Sequence, residues 1–340
     1  MNKIFLSLSF SVLFLGCFSA ASYNGKLSRN FDGEKFHNLE KTEMKSFWDL
    51  IVWKLTTTDG YWPSNTNDVK QYKPNSFSKN LQISFIGHST FLIQLDSINI
   101  LTDPIWSERA SPVSFVGPKR CRIPAINFSD LPKIDYVVIS HNHYDHLDIE
   151  TLKKLKVHSN PTVCVPLGVD LFLKEESIEN VIAMNWWEEK KIKSNFKINF
   201  LPSRHFSGRG FTDMNETLWG SWIIISDTTR IYFAGDTGFG IHFEQIANRF
   251  PNIEVSLLPI GAFKPRFFME QIHISPDEAV KSHIILKSQK SIAMHFGTFS
   301  LADDAIDEPI IELEKSLLNR KISKENFLIP KFGEPIFFDK

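Results

Sequence analysis

Tyr136-Val137-Val138-Ile139-Ser140, an unbroken β-type run, passes directly into His141-Asn142-His143-Tyr144-Asp145-His146. A short apolar run of this kind reads as a buried strand, and this one delivers three imidazoles and a carboxylate at its end. On extended backbone alternate side chains share a face, so His141 and His143 project together. Imidazole combined with carboxylate suits a borderline divalent cation such as zinc. The alternative, a solvated His-rich loop, gives no reason for the cluster to sit at a strand end, which is where sites are built.

Working outward, lone donors stand just past three further strand-like runs: His205 after Phe196–Leu201, Asp236 after Ile231–Ala234 and His295 after Ser291–Met294. Taken singly, each reads as an ordinary hydrogen-bonded side chain. With the first cluster they complete seven candidate ligands: His141, His143, Asp145, His146, His205, Asp236 and His295. Five imidazoles and two carboxylates are enough for two divalent metal ions, zinc being the best match, that share a carboxylate.

Other β-type runs are Leu81–Ile86, Phe91–Leu95, Ile98–Leu101, Thr162–Val165, Ser221–Ser226 and Val255–Leu258, with a hairpin turn at Asp227-Thr228-Thr229. Helical patterns fall at Ile149–Leu155, Phe243–Phe250 and Ser275–Leu286. The last opens on Ser275, Pro276 and Glu278, the spacing of a capping box. Strands and helices in this order, with no nucleotide-binding fingerprint at the first turn, predict a layered α/β sandwich formed by residues 81–340 as a single domain. Residues 22–80 are polar and broken by Pro63 and Pro74, with one apolar helical patch around Phe47, Trp48, Ile51, Val52 and Leu55. They read as an N-terminal arm laid on that domain.

The chain has 340 residues, with 38 Lys+Arg against 39 Asp+Glu. A net charge of −1 speaks against a nucleic-acid-coating protein. At 42% hydrophobic and 23% charged residues it is also outside the disordered class. Lys3 followed by the apolar run Ile4–Leu15 is too short to span a bilayer and predicts an export signal over residues 1–21. Two exits are open: cleavage after the small residues Ser19, Ala20 and Ala21, or lipidation of Cys17 in a lipobox-like stretch. The mature protein is thus expected in the periplasm or tethered to a membrane. Cys121 and Cys164 remain, able to pair in an oxidising compartment but without metal-type spacing.

Longer words surround the ligands: FIGHSTFLIQ (85–94), LTDPIW (101–106), RASPVSFVGPKR (109–120), NWWEE (185–189), WGSW (219–222), FAGDTGF (233–239), PIGAFKPRFFM (259–269), HISPDEAV (273–280) and AMHFGTFSLADD (293–304). With HNHYDH (141–146), they resemble the N-acyl-phosphatidylethanolamine-hydrolysing phospholipase D branch of the metallo-β-lactamase superfamily, from about Leu81 to the C-terminus. The leader and the arm lie outside the resemblance. It implies the αββα metallo-β-lactamase sandwich, with His141, His143 and His205 on one zinc, Asp145, His146 and His295 on the other, and Asp236 between them. It further implies a phosphodiesterase that uses water activated between the metals to release an N-acylethanolamine and phosphatidic acid. In that scheme Asp145 and Asp236 orient the water and relay a proton, and His273 lies near the substrate, although it reads equally as a structural loop histidine. A phospholipid at a membrane surface would be the partner, and the resemblance points to a homodimer.

Several residues carry two readings. Phe267, Phe268 and Met269 could line an acyl-chain groove or belong to the core. Arg266 suits a phosphate or a structural salt bridge. Core packing is the better account of Trp186-Trp187, because anionic lipid would repel Glu188 and Glu189. His88 reads as a buttress of the site; His37, His158, His242 and His283 carry no signal. Rival functions are a lactonase or other ester hydrolase of the same fold and a non-catalytic metal-binding module. A nuclease is disfavoured because no Lys/Arg-rich arm with interleaved aromatics is present.

Overall fold

The protein's structure is a computed structural model that describes residues 22–43, 45–193, 195–210, 212–227 and 229–338. The expected export signal, including Cys17, lies outside the described residues. Two seven-stranded sheets pack face to face among the described residues. The first runs, in spatial order, Pro335–Phe338, Leu81–Gly87, Thr90–Leu95, Ile98–Thr102, Tyr136–Val138, Thr162–Pro166, Val181–Met184. The second runs Phe327–Leu328, Lys290–Met294, Val255–Pro259, Arg230–Phe233, Ser221–Ile225, Phe196–Leu201, Glu189–Lys193.

Alternation along the strands explains the layers. Phe91 and Ile93 point into the core between the sheets, where Phe200, Trp222 and Phe233 meet them from the opposite side. Leu92, one residue out of phase, joins Leu101, Val137 and Val163 on the outer face under Leu152 and Leu155 of the helix Ile149–His158. Both faces of this sheet are therefore covered, which is why its strands read as continuous apolar runs rather than alternating ones. Much of the high Phe content goes into the inner layer.

Parallel pairing joins Ile98–Thr102, Tyr136–Val138 and Thr162–Pro166 in one sheet and Arg230–Phe233, Val255–Pro259 and Lys290–Met294 in the other. Parallel strands open their C-terminal ends toward the same rim, so donors placed just after them converge there. The predicted capping box is formed: Ser275 accepts from the Glu278 N–H, and the Glu278 carboxylate accepts from the Ser275 N–H. Four strands gave no clear signal in the sequence, among them the edge strand Glu189–Lys193, and so did the helix Glu308–Arg320. No described helix is long and apolar enough to cross a membrane. Cys121 and Cys164 stand as separate, buried thiols.

Candidate metal centre

Each candidate ligand sits where a strand ends. His141, His143, Asp145 and His146 follow Tyr136–Val138; His205 follows Phe196–Leu201; Asp236 follows Arg230–Phe233; His295 follows Lys290–Met294. The WGSW word holds the first loop in place: the Trp222 indole donates to the Ile139 carbonyl at 2.8 Å and the Gly220 N–H to the Ser140 carbonyl at 3.0 Å. Gly235 has φ +58°, and a Cβ there would lie 2.5 Å from the Ser140 Cβ. Only glycine lets the Asp236 turn come this close to the His141 loop. His88, Asp103 and His295 also hold left-handed φ of 58°, 32° and 58°, the local strain that tends to be kept where side chains must be aimed.

All seven candidates come together, in two adjoining groups. In one, His141 Nε2 lies 2.8 Å and His205 Nε2 3.3 Å from His143 Nδ1. In the other, His146 Nε2 is 3.3 Å from Asp145 Oδ2 and 3.2 Å from Asp236 Oδ2, while His295 Nε2 is 3.4 Å and 3.1 Å from the same two oxygens. Asp236 Oδ2 also faces the first group, 3.9 Å from His205 Nε2. Ligands about 2.0–2.1 Å from a tetrahedral zinc stand about 3.4 Å from one another, so the spacing of the second group is that of a metal cage. His146 Nε2, His295 Nε2 and Asp236 Oδ1 are buried without a hydrogen-bond partner, which is costly unless a cation meets them. The donor set and its orphaned atoms fit a bound metal.

Further partners fix which nitrogen faces inward. His146 Nδ1–H donates to Asp103 Oδ2 at 2.6 Å, and His205 Nδ1–H to the Ile272 carbonyl at 2.8 Å, leaving each Nε2 for the cage. Asp103 accepts two more bonds from Ser140, N–H at 2.7 Å and Oγ–H at 2.6 Å. Neither Asp103 nor Ser140 was singled out from the sequence. The available signal was the same one that found the ligands, a lone carboxylate just past a strand, in LTDPIW. His88 Nε2–H donates to Asp145 Oδ2 at 2.9 Å, the buttressing role expected of it.

Charge divides the two groups. Burial holds His141 well below the usual imidazole range and lowers His143 to about 3 and His205 to about 4, with neighbouring imidazoles adding to the effect at the first two. These three are neutral, the form in which imidazole ligates. Burial also pulls His146 and His295 down, but the carboxylates of Asp236 and Asp145 outweigh it. They raise His146 well above its ordinary value and His295 to about 9. Burial pushes Asp145 and Asp236 up, and the facing imidazoles more than reverse this, holding both carboxyls well below the usual range. Protons on His146 and His295 thus occupy the place a cation would take.

The weaker candidates divide. His273 reaches the same cleft, with Nδ1 3.8 Å from Asp236 Oδ2 and unpartnered. Arg266 is engaged elsewhere, donating to Glu278 Oε2 and to the His273 carbonyl, both at 2.9 Å, so of its two readings the structural salt bridge is the one present. Phe267 is exposed and Met269 buried, while half-buried Phe268 packs against Trp53 with ring centroids 4.6 Å apart and the rings tilted by 45°. Trp186 is core, donating to the Trp219 carbonyl.

Residues 98–296, more than half of the chain, match the family described as the beta-lactamase superfamily domain. The chain belongs to the metallo-β-lactamase superfamily. Within this superfamily it falls in the phospholipase D-like branch. It is 40% identical over 264 residues to N-acyl-phosphatidylethanolamine-hydrolyzing phospholipase D 1 of Caenorhabditis elegans, covering 74% of each chain. It is 32% identical over 262 residues to the mitochondrial protein so named in Saccharomyces cerevisiae, covering 75% of this chain and 56% of that one. Among solved structures, a metallo hydrolase from Ignicoccus hospitalis superposes with TM-score 0.58 at 22% identity, covering 77% of this chain and 99% of the other, which shows the shared metallo-β-lactamase fold. The protein is a metal-dependent hydrolase of this superfamily.

Proposed function

We propose that the protein is a zinc-dependent phosphodiesterase of phospholipase D type, holding two ions and hydrolysing N-acyl-phosphatidylethanolamine to an N-acylethanolamine and phosphatidic acid at a membrane surface. The observation that carries this reading is an apolar wall built against the donor cages. The Phe206 ring lies 4.5 Å from the His143 ring, and Phe206, Phe268 and Leu301 pack with Trp53, Ala262, Met269, Ile272 and Ala302. Such a wall suits acyl chains beside a phosphodiester. The two relatives named for this reaction add support.

His141, His143 and His205 would hold one ion and Asp145, His146 and His295 the other, with Asp236 facing both. Bound there, the ions would lower the pKa of water and offset the charge that grows on phosphate oxygens. Water adds to phosphorus, the bond from phosphorus to the ethanolamine oxygen breaks, and the water's proton ends on the departing alkoxide. Asp145 and Asp236, ionised and aimed into the cleft, orient the water and carry that proton. His273, kept neutral mainly by burial, has an N–H to donate to a phosphoryl oxygen.

Purified protein incubated with N-acyl-phosphatidylethanolamine, p-nitrophenyl phosphodiesters and a lactone panel, with and without chelator, tests the reading. Chelator-sensitive release of phosphatidic acid is expected. Turnover confined to lactones would sink the lipid assignment, and turnover indifferent to chelator the metal one.

A further inference from the structure

The segment Asn38–Glu43, outside the matched family region, is tied to three loops that carry or flank site residues. Asn38 is the central contact. Its Nδ2–H donates to the His205 carbonyl at 2.8 Å, and its Oδ1 accepts the His205 N–H at 3.1 Å and the Trp219 indole N–H at 3.1 Å. Two N–H donors face one end of the amide and a carbonyl the other, so only one orientation satisfies all three. The neighbouring bonds extend the tie. Glu40 Oε2 accepts the Ile241 N–H at 2.8 Å, beyond the Asp236 turn. The Glu43 N–H donates to Gln271 Oε1 at 2.7 Å, two residues before His273, and Gln271 Oε1 also accepts from Arg204, next to His205.

We propose that Asn38 is a positioning residue of the metal centre, one that clamps the main chain of His205 and so fixes its imidazole in the cage shared with His141 and His143. The inference rests on the metal-centre reading above. His205 follows a strand end and belongs to no helix or strand itself. Its main-chain N–H and carbonyl are both taken by this one side chain. Apart from its contact with His143 in the cage, the imidazole is held by one bond, Nδ1–H to the Ile272 carbonyl at 2.8 Å. Loss of the amide would leave that ring free to swing about a loosened backbone, and loss of a partner that orients a ligand weakens metal binding about 10- to 100-fold.

The test uses the full chain, stripped of metal and titrated with zinc against a chromophoric chelator, as wild type, Asn38→Ala and Asn30→Ala. Asn30 supplies the comparison, because its Nδ2–H donates to Asn185 Oδ1 at 2.9 Å and ties the preceding part of the N-terminal arm to the domain without touching a ligand. Wild type and Asn30→Ala are expected to bind alike, and Asn38→Ala to bind one ion about 10- to 100-fold more weakly while keeping the affinity of the other. Should Asn38→Ala not be recovered folded, Asn38→Ser carries the same expectation, since its hydroxyl is too short to span both backbone groups. Equal binding by the Asn38 variant and wild type overturns the proposal, as does equal weakening by Asn30→Ala, which would mean general loosening. A wild type that binds no zinc would overturn the metal reading itself, and this proposal with it.

Discussion

His146 Nδ1 lies 2.6 Å from Asp103 Oδ2, and neither side chain reaches solvent. One carboxylate thus selects the tautomer that leaves Nε2 toward Asp145 and Asp236. Asp103→Asn keeps the volume but exchanges an acceptor oxygen for an N–H group, which would face either Ser140 or His146. Turned toward His146, it would favour the tautomer that points a proton into the cage. Zinc affinity of the His146–His295 group is expected to fall about 10- to 100-fold, measured by chelator competition on the metal-free protein. An unchanged affinity would show that the pair is structural only.

Metal uptake should release protons. The raised His146 and His295 carry them at neutral pH, whereas His141, His143 and His205 are already neutral. Loading at pH 7 is expected to release about two protons per chain, and affinity to rise about tenfold per unit of rising pH for each proton displaced. Calorimetry in buffers of differing ionisation enthalpy counts them. The sign for stability runs the other way. A folded-state value raised to about 9 at His295 contributes stability to the metal-free protein below pH 6.5 that is lost as pH rises through about 9. The metal-free chain should therefore melt lower at pH 9.5 than at pH 6.5, with the loss reduced in the loaded chain. Proton release near zero would contradict the assignment.

Asp236 Oδ2 faces both groups, 3.1 Å from His295 Nε2 and 3.9 Å from His205 Nε2. Asp236→Asn leaves the turn and its Gly235 intact and removes the charge. Phosphodiester turnover is expected to drop about 10²- to 10⁴-fold with the circular dichroism of the fold retained. Activity within a few-fold of wild type would remove Asp236 from the chemistry.

What could be read from the sequence follows from where each signal is local. His141 to His146 are contiguous, and His205, Asp236 and His295 each follow an apolar run, so strand reading alone brings them to one rim. The edge strand Glu189–Lys193 escaped because its Lys-rich face protects an open edge and carries no apolar alternation. Asp103 stood in plain view in LTDPIW, but nothing local distinguishes a carboxylate that orients a ligand from one that binds metal. Asn38 was beyond reach, since its partner His205 is 167 positions away and no periodicity links them. Arg266 had two readings of equal standing, and nothing local in the sequence shows that Glu278 and the His273 carbonyl stand around it.

The apolar wall separates a lipid substrate from a small one by measurement. Phe268 is half-buried on Trp53, at the exposed side of the cluster that includes Phe206 and Leu301. Truncation by Phe268→Ala removes contact that only a long acyl chain would use and leaves the donor cages untouched. Losing apolar contact of this size in a substrate pocket costs about 1–3 kcal/mol, or about 10- to 200-fold in kcat/KM. A loss of that order is expected on N-acyl-phosphatidylethanolamine, with p-nitrophenyl phosphodiester turnover within about twofold of wild type because that substrate does not reach the wall. Equal losses on both would mean that Phe268 supports the metal loops rather than the lipid, and no loss on either would place the acyl chains elsewhere.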